Sequence, residues 1–138
     1  MVGIEWGKPI FVTFIRENRF TRGLIEKTGE FTVSIPIDDS AKKILGFCGS
    51  KSGRDIDKAK EIGLTYEEPG MTSVPGVKEL PLTLECKVVY KQTQDTEAMT
   101  EENREKFYPQ NVESSFSGAN RDTHIAYYGE IVDAYVIE

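Results

Sequence analysis

The chain of 138 residues has the length of one domain, and its 38% hydrophobic and 29% charged residues are typical of a globular protein. The formal net charge of −6 disfavours broad binding to nucleic acid or to anionic lipid. No apolar run approaches the roughly 18 residues that a membrane-spanning helix needs. We therefore expect one soluble domain without a nucleic-acid or membrane partner.

The cysteines and the first residues bear on the cellular compartment. Cys48 and Cys86 show no CxxC spacing and no nearby histidine cluster, so neither a zinc site nor a disulfide framework is expected. The first 15 residues are apolar, but glycines, a proline and an acidic residue interrupt them, unlike a signal peptide. We expect a cytoplasmic protein with reduced thiols.

The first third of the chain predicts strand, helix and strand in that order. Residues 9–16 are almost continuously apolar, which predicts a strand buried on both faces. Residues 18–28 have helical spacing, with Asn18 as the N-cap and Gly29 as the stop. Residues 30–36 alternate apolar and polar side chains, which predicts a half-buried strand ended by its proline.

The middle of the chain predicts two short helices around a loop. Residues 38–48 have good capping residues and helical spacing, and residues 49–54 form a glycine-rich loop. A helix of about two turns is expected over residues 55–62, starting at Asp55. Residues 64–76 contain two prolines and two glycines, which indicates a winding loop.

The last part of the chain holds the clearest strand patterns. Residues 82–92 alternate apolar and polar side chains, and residues 124–137 form a second long strand with Gly129 at a bulge. Between them, residues 93–121 are polar and partly helix-favouring, an excursion that either covers the active site or extends a dimer interface. We expect one mainly β (α+β) domain over residues 1–138, folded as a closed or half-open barrel.

Two runs of sequence carry the groups that a bound anion needs. The run GFCGSKSGRDIDK at 46–58 combines glycines, hydroxyls and cations, and it leads into a helix whose N-terminal dipole favours an anion. It has neither Walker nor GxGxxG spacing, and a solvated turn is the alternative. The run RENRFTR at 16–22 can bind phosphate or form surface ion pairs. Together the two runs predict one shared anion site.

Other candidate functional residues are few. His124, the only histidine, can touch a ligand or transfer a proton, although a lone histidine is more often structural. Cys48 is either a redox thiol or a small buried residue. No Ser–His–Asp arrangement or metal-ligand spacing is found, so any catalysis is expected to belong to a bound cofactor. Core or interface positions, rather than cofactor stacking, are expected for Trp6, Phe11, Phe14 and Tyr128.

In chain order, the runs RENRFTRGLIEKTGEFTVSIP, ILGFCGSKSGRDIDKAKEIGLTYEEP, VPGVKELPLTLECKVVYK and HIAYYGEIVDAYVIE resemble segments of the flavin reductase-like family. The most specific motifs are R-x-x-R-F-T-R and C-G-S-K-S-G-R-D-x-D-K. The resemblance implies the FMN-binding split barrel and a homodimer with one FMN per subunit. It also implies electron transfer from NAD(P)H through FMN to free flavin, a metal ion or a protein. A flavoredoxin-type electron carrier and a cofactor-free dimerising module are the alternatives.

The resemblance further implies particular site residues. His124 would lie near the exposed flavin face, where substrate arrives. Family members usually carry an additional N-terminal strand before the tryptophan that corresponds to Trp6. We therefore expect a fragment, a mis-set start codon or a shortened member, with part of the flavin ring pocket missing. Flavin and phosphate contacts are expected from Arg16, Asn18, Arg19 and Thr21, phosphate contacts from Cys48, Gly49, Ser50, Lys51, Ser52, Arg54 and Lys58, and ring-edge contacts from the backbone of Thr13, Phe14 and Ile15.

Overall fold

The computed structural model describes residues 6–114 and 121–138. A four-stranded antiparallel sheet in the order β1-β6-β5-β2 forms its frame, and a two-stranded ribbon pairs β3 with β4. The strands are β1 (Ile10–Arg16), β2 (Glu30–Ile35), β3 (Tyr66–Glu67), β4 (Gly76–Val77), β5 (Leu82–Thr93) and β6 (His124–Val136). The helices are α1 (Phe20–Thr28), α2 (Lys42–Ser50), α3 (Lys58–Ile62) and α4 (Glu101–Phe107), with 3-10 turns at Asp39–Ala41 and Thr96–Ala98. No helix in these ranges is long and apolar enough to cross a membrane.

Two irregularities in the β5–β6 ladder curl the sheet into a half-barrel. The pairing skips Val132 on β6 and Val89 on β5, and such bulges bend a strand and increase its twist. The bulge predicted at Gly129 on β6 is therefore found on the partner strand instead. Its extra residue is Val89 on β5, next to the pair of Val88 and Gly129. Gly129 serves close packing instead, since a Cβ there would come within 2.6 Å of the Phe31 ring.

The core lies on one face of this sheet. Its buried residues are contributed by α1, β2, β5 and β6, and removing each large apolar side chain from water stabilises the fold by about 1.5–3 kcal/mol. Burial raises the pKa of the Cys86 thiol to about 11, so that thiol stays protonated and unreactive at neutral pH. The buried cluster consists of Ile25, Phe31, Cys86, Ile125 and Tyr127.

The other face of β5 holds a buried carboxylate. Glu85 is 0% exposed, and its oxygens accept backbone N–H groups from Gly70, Met71 and Thr72 at 2.7–2.8 Å. The Tyr135 hydroxyl donates a further hydrogen bond at 3.0 Å. These bonds fasten the segment between β3 and β4 to the sheet, in a region that the sequence predicted only as a winding loop.

Strand β1 departs from the expectation of burial on both faces. It is an edge strand that pairs only with β6 within the described residues, and Phe14 is 61% exposed. Apolar runs occur in strands that are buried on both faces and also in edge strands with an exposed apolar side. Hydrophobicity alone therefore could not distinguish a central strand from an edge strand here.

Helix ends were predicted better at the C-terminus than at the N-terminus. Gly29 and Gly63 end α1 and α3 with a left-handed φ of 68°, as predicted. The predicted N-cap Asn18 is wrong: Arg19 holds the cap position, and the Asn18 amide donates to the Ser114 carbonyl instead. Residues 115–120 of the predicted excursion lie outside the described residues, whereas α4 confirms its helical part.

Candidate functional site

The arginine-rich run and the glycine-rich run meet at one cavity of about 1040 Å³. The turn after β1 and the start of α1 form one wall, and the end of α2 with the loop to α3 forms the other. Residues about 30 positions apart in sequence are thereby brought together. Nine of the predicted phosphate- and flavin-contact residues line this cavity: Asn18, Arg19, Thr21, Cys48, Gly49, Lys51, Ser52, Arg54 and Lys58.

We call this first cavity the phosphate cavity, after the group that the sequence predicts for it. Three contacts hold its two walls in place. The Arg54 guanidinium donates to the Asn18 carbonyl at 2.8 Å, and the Lys58 amine donates to the Cys48 carbonyl. Gly53 lies against Phe20, where a Cβ would come within 2.6 Å of the ring. The glycine is therefore required for the close approach of the loop to α1 rather than for an unusual backbone angle.

The phosphate cavity carries positive charge in a net acidic protein. Among residues 6–114 and 121–138, the Lys51 amine has neither a hydrogen bond nor an ion pair, so it is available to a ligand. A concentration of cations on flexible stems attracts an anion from solvent. The charged lining residues are the cations Arg19, Lys51, Arg54 and Lys58 and the carboxylates Asp55 and Asp57.

The helix-dipole component of the predicted anion site is wrong. The N–H groups of Asp55 and Ile56 both donate to the Ser52 carbonyl, so these residues close a separate turn. Helix α3 then starts at Lys58 and has only five residues. The Asp57 carboxylate caps it by accepting the Lys60 N–H at 3.1 Å, which places an acidic group where the ligand anion was expected.

The remaining predicted residues lie outside the phosphate cavity. Ser50 is the last residue of α2 rather than a loop residue, and its hydroxyl donates to the Phe47 carbonyl. Thr13, Phe14 and Ile15 lie along the edge strand β1 and line neither of the two cavities described here. Arg16 and His124 pair across β1 and β6 and line a second, smaller cavity.

The second cavity has a volume of about 590 Å³ and is walled by the segment after β5. The buried Tyr108 hydroxyl lies 2.9 Å from Nδ1 of His124, and the Arg16 guanidinium stacks 5.3 Å from the centre of the Tyr108 ring. Tyr108 was not predicted as a site residue, because the residues around it in the sequence indicate only a helix. The lining residues are Arg16, Gln94, Ala98, Met99, Thr100, Asn103, Phe107, Tyr108 and His124.

The two cavities adjoin across the turn between β1 and α1. Burial lowers the pKa of His124, and the positive charges of Arg16 and Arg19 lower it further. Arg16 belongs to the second cavity and Arg19 to the phosphate cavity, so His124 responds to charge in both. Its imidazole is consequently neutral at neutral pH and able to accept or donate a hydrogen bond.

Known proteins match this chain in sequence and in fold. The pattern of the family described as "Flavin reductase like domain" matches residues 4–138. An uncharacterized protein of Archaeoglobus fulgidus is 32% identical over 89 residues, which cover 64% of this chain and 50% of that protein. Flavoredoxin of Desulfovibrio vulgaris (Miyazaki F) superposes with a TM-score of 0.63 at 26% identity, over 94% of this chain and 54% of that one.

Other solved structures share the fold at lower identity. Flavoredoxin from Methanosarcina acetivorans gives a TM-score of 0.67 at 24% identity, over 98% of this chain and 56% of that one. Component B of nitrilotriacetate monooxygenase from Bacillus cereus gives 0.68 at 21% identity, over 94% and 55% respectively. The chain thus spans about half the length of the relatives it matches. The predicted split-barrel fold class is confirmed, and the chain belongs to the flavin reductase-like family.

Proposed function

We propose that this chain binds FMN with the phosphate group in the phosphate cavity and takes part in electron transfer from NAD(P)H to an acceptor. The observation that carries this proposal is the meeting of two cationic runs in one cavity within a protein of net charge −6. The residues present fit a phosphate, because the Lys51 amine and the Arg54 guanidinium supply charge-assisted donors. Membership of the flavin reductase-like family supports the choice of a flavin.

Side chains around the cavity would share the phosphate oxygens. Lys51 would contribute a point charge, and Arg54 would contribute N–H groups while its bond to the Asn18 carbonyl keeps it in position. The hydroxyls of Ser52 and Thr21 can donate further hydrogen bonds. Around Gly49, a Cβ would meet nothing within 4 Å, which leaves room for a ligand to approach the backbone.

The edge of β1 suits the flavin ring. Because β1 pairs with β6 on one side only within the described residues, the outward backbone groups around Thr13, Phe14 and Ile15 are open to hydrogen bonding. FMN bound there would supply hydride and single-electron transfer, and the protein would supply position and electrostatics. His124, held neutral, would lie on the side where a donor or an acceptor arrives.

Aromatic side chains on the neighbouring strands β5 and β6 support the homodimer included in this proposal. Trp6 and Tyr90 pack edge to face at 6.0 Å, and Tyr90 and Tyr128 lie 5.1 Å apart. Trp6 and Tyr90 are each 43% exposed, and Phe14 on β1 is also exposed. Exposed aromatic surface of this kind is typical of protein–protein interfaces.

A visible absorption spectrum before and after adding FMN and desalting tests the proposal. We expect retained flavin bands from the unchanged protein and weaker FMN binding by the double variant Lys51→Ala/Arg54→Ala. The loss should be about 1.5–3 kcal/mol for each charge-assisted bond before coupling. A matched control is Lys42→Ala/Lys43→Ala, which removes two cations outside the cavity. Equal FMN affinity in the two double variants would contradict the placement of the phosphate.

A flavoredoxin-type electron carrier is the second candidate function. It is favoured by the 26% identity to the flavoredoxin of Desulfovibrio vulgaris. A carrier would retain FMN but would oxidise NADH and NADPH negligibly with small acceptors, whereas a reductase would turn over with at least one of them. A folded but colourless protein that does not bind FMN would instead indicate a dimerising module.

A further inference from the structure

The buried tyrosine of the second cavity makes a contact that the proposed phosphate site does not use. The Tyr108 hydroxyl lies 2.9 Å from Nδ1 of His124, and the two rings meet edge to face at 6.1 Å. Tyr108 is only 9% exposed and follows α4, whereas His124 begins β6. The contact therefore joins the outer wall of the cavity to the sheet.

Backbone bonds fix the position of His124 beside Tyr108. The His124 N–H donates to the Gln94 side-chain oxygen at 2.9 Å, and the His124 carbonyl accepts the Gln94 N–H at 3.0 Å. On the other side, Arg16 pairs with His124 across β1 and β6. The tyrosine and the histidine are thus brought together by the fold, before any ligand arrives.

The proton between Tyr108 and His124 can belong to either residue, and burial decides which. If Nδ1 carried it, the proton of the Tyr108 hydroxyl would have no other acceptor among residues 6–114 and 121–138. An unsatisfied buried donor is costly, whereas a hydroxyl that donates its proton leaves only an oxygen lone pair unused. The hydroxyl is therefore the donor, and Nδ1 is the acceptor.

The second ring nitrogen of His124 has different surroundings. Nε2 has no hydrogen-bond partner in the part of the chain that the structure describes, and it is not among the buried side-chain atoms that lack one, so solvent reaches it. His124 and Gln94 both line the second cavity. Because the Gln94 oxygen already accepts the His124 N–H, the Gln94 NH₂ group is the part of that amide left for a ligand.

The surroundings of His124 favour the neutral imidazole. Burial lowers the pKa of His124 most, and the cations of Arg16 on β1 and Arg19 before α1 lower it further. The carboxylate of Glu17 accepts the Thr123 hydroxyl at 3.1 Å. A neutral imidazole carries a single N–H, so the bond from Tyr108 decides which nitrogen holds that proton.

We propose that Tyr108 positions His124 as a hydrogen-bond donor, by donating to Nδ1 and thereby placing the imidazole proton on Nε2. Tyr108 is a positioning residue, because it acts on a ligand only through His124. The second cavity then offers N–H donors from His124 and Gln94, which suit a ligand with an acceptor oxygen such as a carbonyl group. The tautomer does not depend on FMN. Its use in electron transfer, where His124 would orient the electron donor or acceptor without removing a proton, rests on the proposed function.

Nitrogen NMR of the single histidine tests the tautomer in flavin-free protein. At a pH above the pKa of His124, we expect Nε2 to have the chemical shift of a protonated ring nitrogen and Nδ1 that of an unprotonated one. A protonated Nδ1, or averaged shifts at the two nitrogens, would overturn the proposal.

Tyr108→Phe removes the hydroxyl but keeps the ring. The neutral imidazole then loses the bond that it accepts, so the pKa of His124 should rise and both tautomers should be populated. A fall in that pKa would mean that the hydroxyl accepts a proton from the ring, contrary to the proposal. The matched control is Tyr66→Phe, which removes a hydroxyl at the phosphate cavity and should change neither the tautomer nor the pKa. Equal changes in the two variants would refute the role of Tyr108.

Turnover of the flavin-loaded protein with NADH or NADPH tests the donor role. Nε2 still donates when the imidazole is protonated, so the rate should not fall as the pH drops through the pKa of His124. His124→Gln keeps an N–H donor and should be about tenfold faster than the similar-sized His124→Leu. A rate that falls with protonation of His124, or equal rates in the two variants, would contradict the donor role. If the unchanged protein binds no FMN, the proposed function fails, while the nitrogen shifts still decide the tautomer.

Discussion

The pocket around the Glu85 carboxylate and the phosphate cavity around Lys51 both suit an anion, but they are built from different groups. Glu85 receives three backbone N–H groups and the hydroxyls of Thr72 and Tyr135, and no cationic side chain pairs with it within the described residues. The phosphate cavity offers lysine and arginine side chains and lies open to water.

The difference follows from where each anion comes from. Glu85 belongs to the chain, so folding itself brings the carboxylate to donors that the backbone already orders. Neutral dipoles then satisfy it without burying a second charge, which would add a desolvation cost. An external phosphate must be drawn from water and released again, which long cationic side chains accomplish without a fixed enclosure.

Replacing Glu85 is expected to have the largest effect. In Glu85→Gln, the side-chain NH₂ group would face backbone N–H groups that now donate to a carboxylate oxygen. We expect the free energy of unfolding in urea to fall by about 3 kcal/mol. The control Glu79→Gln alters a less buried carboxylate that accepts the Thr65 N–H next to β3, and it should cost about 1 kcal/mol. Equal losses would show that the three-donor arrangement has no special role.

The same carboxylate predicts a pH dependence. Burial raises the pKa of Glu85, but the hydrogen bonds from Gly70, Met71, Tyr135 and Thr72 outweigh it, so the pKa lies below its ordinary value of 4.5. The unfolded chain therefore binds this proton more readily than the folded chain. Stability from Glu85 is present above pH 4.5 and is lost as the pH falls through the folded pKa. Glu85→Gln should accordingly lose less stability on acidification than the unchanged protein.

A pair of glycine substitutions compares the space in the two anion sites. A Cβ at Gly70 would lie 2.9 Å from the Asp133 carboxylate, whereas a Cβ at Gly49 would meet nothing within 4 Å. We expect Gly70→Ala to destabilise the fold by about 1–2 kcal/mol. Gly49→Ala, within α2, should be neutral or stabilising by up to about 1 kcal/mol. Thermal unfolding of both variants measures the two changes in stability. A larger loss of stability in Gly49→Ala than in Gly70→Ala would contradict this comparison.

The smallest expected effect is a change in the pKa of His124. Burial lowers that pKa first, and Arg16 and Arg19 lower it further. Arg19→Gln should therefore raise the pKa toward its ordinary value, followed by NMR titration of the single histidine. FMN should raise it in the same direction if its phosphate neutralises Arg19. The control is Arg22→Gln, one helical turn away. If it shifted the His124 pKa as much as Arg19→Gln does, Arg19 would have no specific role in coupling His124 to the phosphate cavity.

Particular elements show how far the sequence could predict this protein. Alternation identified β2 and β5, and glycines identified the ends of α1 and α3, because these signals lie within a few residues of the structure they specify. The two cationic runs were also predicted to share one site, and the structure brings nine of the predicted contact residues to one cavity. The third helix was predicted to start at Asp55, but α3 starts at Lys58. Asp55 and Asp57 are both suitable N-caps, and only the turn that Asp55 and Ile56 close with the Ser52 carbonyl shows which of them caps the helix.

The sequence by itself determined the family, the order of strands and short helices, and the residue types around the phosphate cavity. Tertiary structure alone decided the burial of Glu85, the close contact of Gly129 with Phe31, and the second cavity. Each of these depends on the pairing of strands that lie tens of residues apart. A polar residue in an alternating strand looks the same whether water or a folded segment covers it, so local patterns cannot reveal which one does.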